Sequence, residues 1–343
     1  MRKIRVNASG CYDVVIGQNL IDSVGELILS VVDKCKIALI TDDTVSALYS
    51  ERVTASLIKS GYNVAKFVFQ HGEERKNLNT YGEILAFLAQ NTLTRTDAIV
   101  ALGGGVVGDM AGFAAATYLR GIKYVQIPTT LLAQIDSSVG GKTAIDLYEG
   151  KNLVGAFKQP SMVICDTDTL KTLPNDIYTD GMGEVAKYAI LDKRVYDLID
   201  GGFEIEQLVA SCVDYKRMVV ETDEFESGMR KLLNLGHTPA HAIEKLSSYK
   251  IPHGKAVAMG LNIIVKASLK NGLIDKTTYE NITGAVRKCV GQIDCSYSIE
   301  DISKVAKSDK KRAGDKISLV MVYGVGDCRP LKMDVDSVGE YLR

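Results

Sequence analysis

The sequence predicts an α/β region built on a parallel sheet, followed by a mainly α-helical region. In the first half, short β-branched and aliphatic runs alternate with helical patterns, as in sheets with crossover helices. From about Pro174 onward, apolar residues recur at helical spacing and strand signals become few. The 343 residues are enough for two domains, which we place at 1–174 and 175–343.

Signals for the individual elements follow one another in the first half. The predicted strands are 36–41, 63–70, 97–102 and 124–127, with a helix at 78–90. Asp42 or Asp43 can cap a helix that follows the first of these strands and runs to about residue 59. The third strand runs into a glycine triplet at 103–105 and a small-residue helix, and Pro128 stops the fourth.

The second half is predicted to be helical except near its end. Apolar residues at helical spacing predict helices around 195–199, 205–220, 256–269 and 279–290. The runs 316–323 and 331–335 are β-rich, and we expect them to pair as a late hairpin.

The composition is that of an ordinary globular protein. Hydrophobic residues make up 46% of the chain, and 41 basic against 42 acidic residues leave a formal net charge of −1. This balance gives no support to nucleic acid or a membrane as partner. Glycines interrupt the apolar stretch 98–119, which favours strand, loop and buried helix over a membrane span. Seven cysteines without CxxC spacing and no signal-peptide pattern predict a cytoplasmic protein with reduced thiols.

A glycine-rich turn at 103–109 (GGGVVGD) follows a predicted strand and opens a helix. Glycines there let backbone N–H groups approach a pyrophosphate at the positive end of the helix dipole. The turn follows a later strand than usual, and no acid follows the next strand, which ends QIPTT. We therefore interpret the first domain as a nucleotide-binding domain with a variant Rossmann-like sheet; a tight turn without ligand is the alternative.

Other charged groups have both a functional and a structural interpretation. Asp42 and Asp43 can accept hydrogen bonds from ribose hydroxyls or simply cap a helix. Lys142 and Lys151 stand beside glycines, which suits phosphate binding, although surface turns look similar and the Walker A pattern is absent. The mixed-charge turn 72–76 by itself indicates a solvated loop. A basic patch formed by Lys307, Lys310, Lys311, Arg312 and Lys316 is another solvated loop, or one that closes over an anion.

The histidines point to a metal. The chain has only four, and His237, His241 and His253 fall within seventeen positions, with Glu184 available upstream. Histidine and carboxylate ligands suit zinc with a position open for substrate. Helical spacing selects His237 and His241 as the ligand pair, and it leaves His237 with His253 open as an alternative.

Local helix signals surround these residues. Glu184 and Lys187 are three apart and share one face if that segment is helical, where an exposed ion pair is the structural interpretation. Thr238 suits the N-cap of the next helix and Pro239 its first position.

Five segments, taken in order, resemble the 3-dehydroquinate synthase family: GGGVVGDMAGFAAATYLRG, QIPTTLLAQIDSSVGGKTAID, GKNLVGAF, DGMGEVAKYAI and LLNLGHTPAHAIE. The resemblance covers nearly the whole chain. It implies a homodimeric enzyme that binds NAD and a divalent metal, zinc first and cobalt as an alternative. Its substrate would be the anionic seven-carbon phosphate DAHP, closed into 3-dehydroquinate with loss of phosphate.

The resemblance also implies roles for matching residues. Glu184, His237 and His253 become the metal ligands, which overturns the pair chosen by spacing and moves His241 to the substrate. The implied cofactor residues are Asp42, Glu73, Lys76, Gly104, Gly105, Val106, Val107, Gly108, Asp109, Thr129, Thr130, Lys142, Lys151, Thr169, Leu170, Lys171 and Thr172. The implied substrate residues are Asp136, Lys142, Asn152, Lys187, Lys216, Arg230, Asn234 and His241, with Arg120 offered across a dimer interface. Lys216 and Arg230 form the carboxylate-binding pair.

Departures from the family pattern are few. Pro239 and Ala240 stand where the family commonly has an aromatic residue and a glycine, and His71 replaces a frequent acid beside the cofactor residues. Other functions of the same layout are a second sugar phosphate cyclase, such as 2-deoxy-scyllo-inosose synthase, and a metal-dependent oxidoreductase of the glycerol dehydrogenase group. Retention of both Lys216 and Arg230 argues against the former, whose substrate has no carboxylate.

Overall fold

The computed structural model describes residues 1–306 and 316–343, which form two compact units. The first contains Met1–Leu173 with Lys216–Glu224, and the second contains Pro174–Tyr215 with Phe225–Arg343. Of the predicted basic patch, only Lys316 falls within the described residues. Among these residues, no helix combines the length and apolar composition that a membrane crossing needs.

Nine strands belong to the first unit. They are β1 (Arg2–Asn7), β2 (Cys11–Gly17), β3 (Lys36–Asp42), β4 (Asn63–Phe69), β5 (Ala98–Gly103), β6 (Lys123–Pro128), β7 (Lys142–Leu147), β8 (Gly150–Phe157) and β9 (Met162–Asp166). Seven of them form one sheet in the order β1-β2-β9-β6-β5-β3-β4, in which only β1 runs antiparallel to its neighbour. Strands β7 and β8 pair as a separate antiparallel hairpin.

The described helices are distributed along both units. They are α1 (Val24–Ile28), α2 (Asp43–Val45), α3 (Glu51–Lys59), α4 (Leu78–Gln90), α5 (Gly105–Thr117), α6 (Asn175–Leu191), α7 (Lys193–Gly201), α8 (Ile205–Thr222), α9 (His237–Leu246), α10 (His253–Lys270), α11 (Lys276–Val290), α12 (Ile299–Ala306) and α13 (Val338–Leu342). In the second unit, β10 (Lys316–Gly324) and β11 (Asp327–Asp334) form an antiparallel hairpin, which confirms the predicted pairing.

The order of the sheet creates a place for a ligand. From β3 the chain places β4 on one side of that strand and β5, then β6, on the other. Ligands of open α/β sheets bind beyond the carboxyl ends of the strands at such a reversal. Here the reversal lies between β3 and β5, whose residues Thr41 and Leu102 are partners in register.

Several strands were not expected from the sequence. Strands β1 and β2 form an antiparallel pair at the amino end, and the apolar run Val14–Ile16 is buried in β2. Strand β9 is also buried, next to β2 and β6. Lys142 and Lys151, for which the sequence suggests either phosphate binding or surface turns, lie in the paired strands β7 and β8. The predicted parallel sheet followed by a mainly helical region is confirmed.

Candidate functional site

The carboxyl edge of the parallel sheet gathers residues predicted to bind the cofactor. Asp42 ends β3, the glycine triplet follows from β5, and Thr129 follows β6. Gly103 and Pro128 are partners in register, and the Thr129 N–H donates to the Gly103 carbonyl at 3.0 Å. Asp42 caps α2, since its side chain accepts from the Val45 N–H at 2.8 Å. These groups therefore lie side by side at one edge of the first unit.

The glycine turn is shaped for a close approach. Gly104 is the N-cap of α5, so the N–H groups of the first turn have no acceptor within the helix. An ideal Cβ on Gly108 would come within 2.6 Å of Gln126 Oε1, which shows how tightly α5 packs on β6. The buried Thr129 hydroxyl oxygen has no hydrogen-bond partner among the described residues. Orphaned donors at a helix N-terminus fit the pyrophosphate of a dinucleotide.

A buried lysine links the glycine turn to the β7–β8 hairpin. Lys76 Nζ lies 2.5 Å from Asp109 Oδ2 and 2.6 Å from Asn152 Oδ1. Burial would lower the pKa of Lys76, but the nearby carboxylates of Asp109 and Glu73 outweigh it and raise that pKa. Asn152 adopts a left-handed φ of 54°, and its N–H donates to Asp146 Oδ1 at 2.7 Å. A residue predicted to bind cofactor thus contacts one predicted to bind substrate.

Other residues of the first unit were predicted to bind cofactor or substrate, and the structure gives their contacts and exposure. Lys216 Nζ donates to the Asp136 carbonyl at 2.5 Å and pairs with its carboxylate. Lys151 Nζ lies 3.2 Å from Glu73 Oε1. In the segment after β9, Thr169 accepts from Gln134, Thr172 bonds to Tyr49, Leu170 is buried, and exposed Lys171 pairs with Asp168. Exposed Arg120 lies in the turn after α5 with a left-handed φ of 67°.

In the second unit, three helices bring together Glu184, His237 and His253. One ligand atom from each lies within 4.8 Å of the others. Glu184 Oε1 is 3.1 Å from His253 Nε2 and 3.4 Å from His237 Nε2. Zinc bonds of 2.0–2.1 Å in a tetrahedral site place neighbouring ligand atoms about 3.3 Å apart. The two separations from Glu184 Oε1 are close to that spacing.

The other ring nitrogens of the two histidines are held by the protein. His237 Nδ1 lies 3.1 Å from the Leu235 carbonyl, and His253 Nδ1 lies 3.3 Å from Glu244 Oε1. Such partners fix the ring orientation and leave Nε2 to face the metal. The donor set therefore fits zinc or a similar divalent ion.

Charges within this cluster compensate one another. Burial would raise the pKa of Glu184, but Lys187 and His237 hold it well below its usual range. Desolvation lowers the pKa of His237 to about 4. Desolvation would also lower the pKa of His253, but hydrogen bonds to Glu184 and Glu244 outweigh this effect and raise the pKa of His253 to about 10. The cluster therefore holds one carboxylate and a neutral His237 imidazole, the forms that bind metal, whereas His253 is protonated in the metal-free protein and would give up its Nε2 proton when a metal binds.

Glycines allow the three helices to approach so closely. A Cβ on Gly183 would overlap the backbone of Gly254, and a Cβ on Gly254 would overlap the Asp180 carbonyl. Each of these glycines is next to a cluster residue, Glu184 or His253. In the same way, a Cβ on Gly260 of α10 would overlap the Gly236 carbonyl, immediately before His237. Backbone contact between helices, rather than spacing along one helix, brings the cluster together.

The start of α9 differs from the prediction. We expected Thr238 as N-cap and Pro239 as the first helical residue, but the helix begins at His237 with Gly236 as its N-cap. Gly236 has a φ of 77°, and its ideal Cβ would lie 2.9 Å from a Leu261 methyl carbon. Tight packing against α10 thus sets the beginning of the helix two residues earlier.

Two of the four predicted substrate residues of the second unit are buried, and the other two are half-buried. Lys187 is 1% exposed and lies 2.5 Å from Glu184 Oε2, so the interpretation as an exposed ion pair is wrong. Arg230 is 2% exposed, and Asn234 Nδ2 donates to Glu226 Oε1 at 2.7 Å. His241 stands beside the cluster, with its ring centroid 5.6 Å from that of His237, and is not one of the three grouped residues.

Three acids were missed in the sequence. Glu244 contacts His253, Glu226 contacts Asn234, and Asp180 accepts from the Lys255 N–H at 3.0 Å at the start of α10. Helical spacing offers a signal for Glu244, because it lies seven residues after His237 and three after His241 on one face of α9. Glu226 and Asp180 become visible only from tertiary contacts.

Comparison with known proteins gives a consistent assignment. Residues 66–180 match the model of the 3-dehydroquinate synthase N-terminal domain, and residues 181–312 match that of the C-terminal domain. A relative from Clostridium acetobutylicum named 3-dehydroquinate synthase is 44% identical, with 97% of this chain and 96% of the relative covered.

Two solved structures extend the likeness. A 2-deoxy-scyllo-inosose synthase complexed with carbaglucose-6-phosphate, NAD+ and Co2+ superposes with a TM-score of 0.88 at 26% identity, covering 100% of this chain and 99% of the other. The 2-epi-5-epi-valiolone synthase of Streptomyces hygroscopicus, with NAD+ and Zn2+ bound, shares the fold at a TM-score of 0.86 and 23% identity, covering 96% and 95%. The family models and the relative together lead to one assignment: the chain belongs to the 3-dehydroquinate synthase family.

Proposed function

We propose that this enzyme converts DAHP, 3-deoxy-D-arabino-heptulosonate 7-phosphate, into 3-dehydroquinate and phosphate, with NAD and a divalent metal as cofactors. Zinc is the metal we propose, and cobalt is the alternative. The observation that carries the proposal is the cluster of Glu184, His237 and His253 with Lys187 beside it. It occurs in a chain 44% identical over nearly its whole length to a 3-dehydroquinate synthase.

The first unit would bind NAD at the carboxyl edge of its sheet. The N–H groups of the Gly104–Asp109 turn would bind the pyrophosphate, with Thr129 and Thr130 alongside. Asp42, Glu73 and Lys76 would bind the adenosine part. The remaining proposed cofactor residues are Lys142, Lys151, Thr169, Leu170, Lys171 and Thr172. When bound, the metal would supply a Lewis acid for the substrate hydroxyls, and NAD would supply a reversible hydride acceptor, so that the overall reaction has no net redox change.

Fixed cations would recognise the two anionic groups of the substrate. We assign Lys142 and Lys187 to the phosphate, where their charge stabilises the negative charge that develops as it leaves. Lys216 and Arg230 would bind the carboxylate. Lys187, Lys216 and Arg230 are buried, and the first two are held in place by the carboxylates of Glu184 and Asp136, so these cations would meet the substrate in fixed positions. Asp136, Asn152, Asn234 and His241 would orient the hydroxyl-bearing carbons.

Two further properties are the oligomeric state and the cellular location of the protein. We propose a cytoplasmic homodimer in which Arg120 is offered across the dimer interface. We also propose that residues 1–174 bind NAD and contribute Asp136, Lys142 and Asn152 to the substrate, and that residues 175–343 hold the metal and further substrate residues. Arg120 is exposed in a left-handed turn, so it is available for such a contact.

One assay tests the reaction. Purified protein with NAD and zinc should release phosphate from DAHP, and a chelator should abolish the release. Glucose 6-phosphate, which has no carboxylate, should give none. Phosphate release from glucose 6-phosphate but not from DAHP would instead indicate a 2-deoxy-scyllo-inosose synthase. A steady, stoichiometric rise of NADH absorbance would instead indicate an oxidoreductase.

A further inference from the structure

Glu244 faces the proposed metal ligand His253 from the side opposite the cluster. Its Oε1 lies 3.3 Å from His253 Nδ1, while Glu184 Oε1 lies 3.1 Å from Nε2 of the same ring. Glu244 is 5% exposed, and it lies on α9 with His237 and His241 at positions i+7, i and i+4 of one helix face. One helix therefore supplies a ligand and a carboxylate that holds another ligand.

The two histidines differ in the group behind them. His237 Nδ1 faces a neutral backbone carbonyl, that of Leu235, whereas His253 Nδ1 faces the carboxylate of Glu244. A carboxylate that accepts the Nδ1–H fixes the tautomer with its lone pair on Nε2 and makes that nitrogen a stronger donor. His253 should thus depend on its partner more than His237 does.

We propose that Glu244 is a positioning residue for the metal, which holds His253 in the metal-binding tautomer and strengthens its bond to the ion. The inference rests on the proposed function, since it requires a metal at the cluster. It adds a residue outside the ligand set that controls how tightly the enzyme keeps its metal.

The test is titration of the metal-free enzyme with Co²⁺ alone, followed by absorption and by competition with a chelator of known affinity. Glu244→Gln keeps an acceptor oxygen but removes the charge, and Glu244→Ala removes both. We expect about 10-fold weaker binding for the first and about 100-fold for the second, the range found when partners of metal-bound histidines are lost. The Co²⁺ spectrum should keep its shape, because the ligands themselves remain.

Glu280→Gln is the matched control, since Glu280 lies exposed on α11 of the same unit. It should bind Co²⁺ as the unaltered enzyme does. Equal Co²⁺ affinity in Glu244→Gln, Glu244→Ala and the unaltered enzyme would overturn the inference while leaving the proposed function intact. A changed spectrum in Glu244→Gln would also overturn it, because Glu244 would then be a ligand. Failure of the unaltered enzyme to bind Co²⁺ would overturn the proposed metal site itself.

Discussion

The two candidate binding regions are built in different ways. The carboxyl edge of the sheet in the first unit, the candidate cofactor site, is formed by backbone, because strands β3, β5 and β6 end together and the turns that follow them meet there. The candidate metal cluster of the second unit is formed by side chains from α6, α9 and α10, and Glu184 and His253 are 69 positions apart in the sequence. A site of the first kind depends on the local conformation of turns, and one of the second kind depends on how closely helices pack.

The difference predicts where each region is vulnerable. At the sheet edge, Gly104 is the N-cap of α5, and Gly108 allows α5 to pack closely on β6. In the cluster, Gly183, Gly254, Gly236 and Gly260 let backbones touch, so the ligand positions depend on them. Removal of a ligand or of such a glycine should therefore affect the second unit most.

The largest effect is expected from the ligands. His253→Ala should weaken metal binding by more than the about 100-fold caused by loss of a ligand's partner, and activity should disappear with the metal. His241→Ala should keep the metal and turn over about 10²–10⁴-fold more slowly if its imidazole assists proton transfer. Metal content after dialysis, together with phosphate release from DAHP, measures both.

Equal loss of metal in the two variants would contradict the ligand assignment. It would show that His241 and His253 both hold the metal, whereas metal loss in His241→Ala alone would restore the His237 and His241 pair that helical spacing favours. Unchanged metal in both would instead remove the whole cluster from consideration as the metal site.

The next effect concerns the contact between α6 and α10. Gly254→Ala places a methyl group against the Asp180 carbonyl, so the helices must separate. We expect a loss of about 2–3 kcal/mol in the free energy of unfolding, as for other overpacked sites. Metal affinity should fall as well, because Glu184 and His253 move apart. Urea titration in the presence of chelator measures the stability without a contribution from bound metal.

Gly284→Ala is the matched control in the same unit. Gly284 lies within α11, where its ideal Cβ would meet nothing within 4 Å. Replacement of an unhindered helical glycine by alanine should stabilise the protein by about 0.5–1 kcal/mol. If both variants lose stability alike, the close approach at Gly254 does not explain the cluster.

The sequence predicted the first region better than the second for a physical reason. Strand runs, the glycine triplet and the Asp42 cap are local signals, and the structure has β5, α5 and that cap where they indicate. Even here, antiparallel pairs were missed: β1 with β2, and β7 with β8, whose glycines and lysines resemble those of a phosphate loop.

Spacing misled in the second region because adjacency along a helix is not proximity to a metal. His241 is four residues from His237 but lies outside the grouped atoms, whereas His253 enters on another helix. The N-cap of α9 was predicted two residues too late, since contact of Gly236 with α10 overrides the local preference for Thr238. Only the family resemblance selected Glu184, His237 and His253, and their role as ligands stays a prediction.

The smallest loss of stability is expected for a glycine-to-alanine substitution at the sheet edge. There the new methyl group meets a side chain, whereas at Gly254 it meets backbone. In Gly108→Ala the new methyl group contacts only Oε1 and Cδ of Gln126, the far end of a side chain. The gain in helix propensity, up to about 1 kcal/mol, offsets part of that contact, so stability should change by less than about 1 kcal/mol. NAD affinity should fall less than tenfold, which corresponds to about 1.4 kcal/mol.

Gly82→Ala, at an open position of α4, controls for helix propensity alone. A stability loss in Gly108→Ala as large as that in Gly254→Ala would show that both regions depend equally on backbone contact, and the distinction between them would fail.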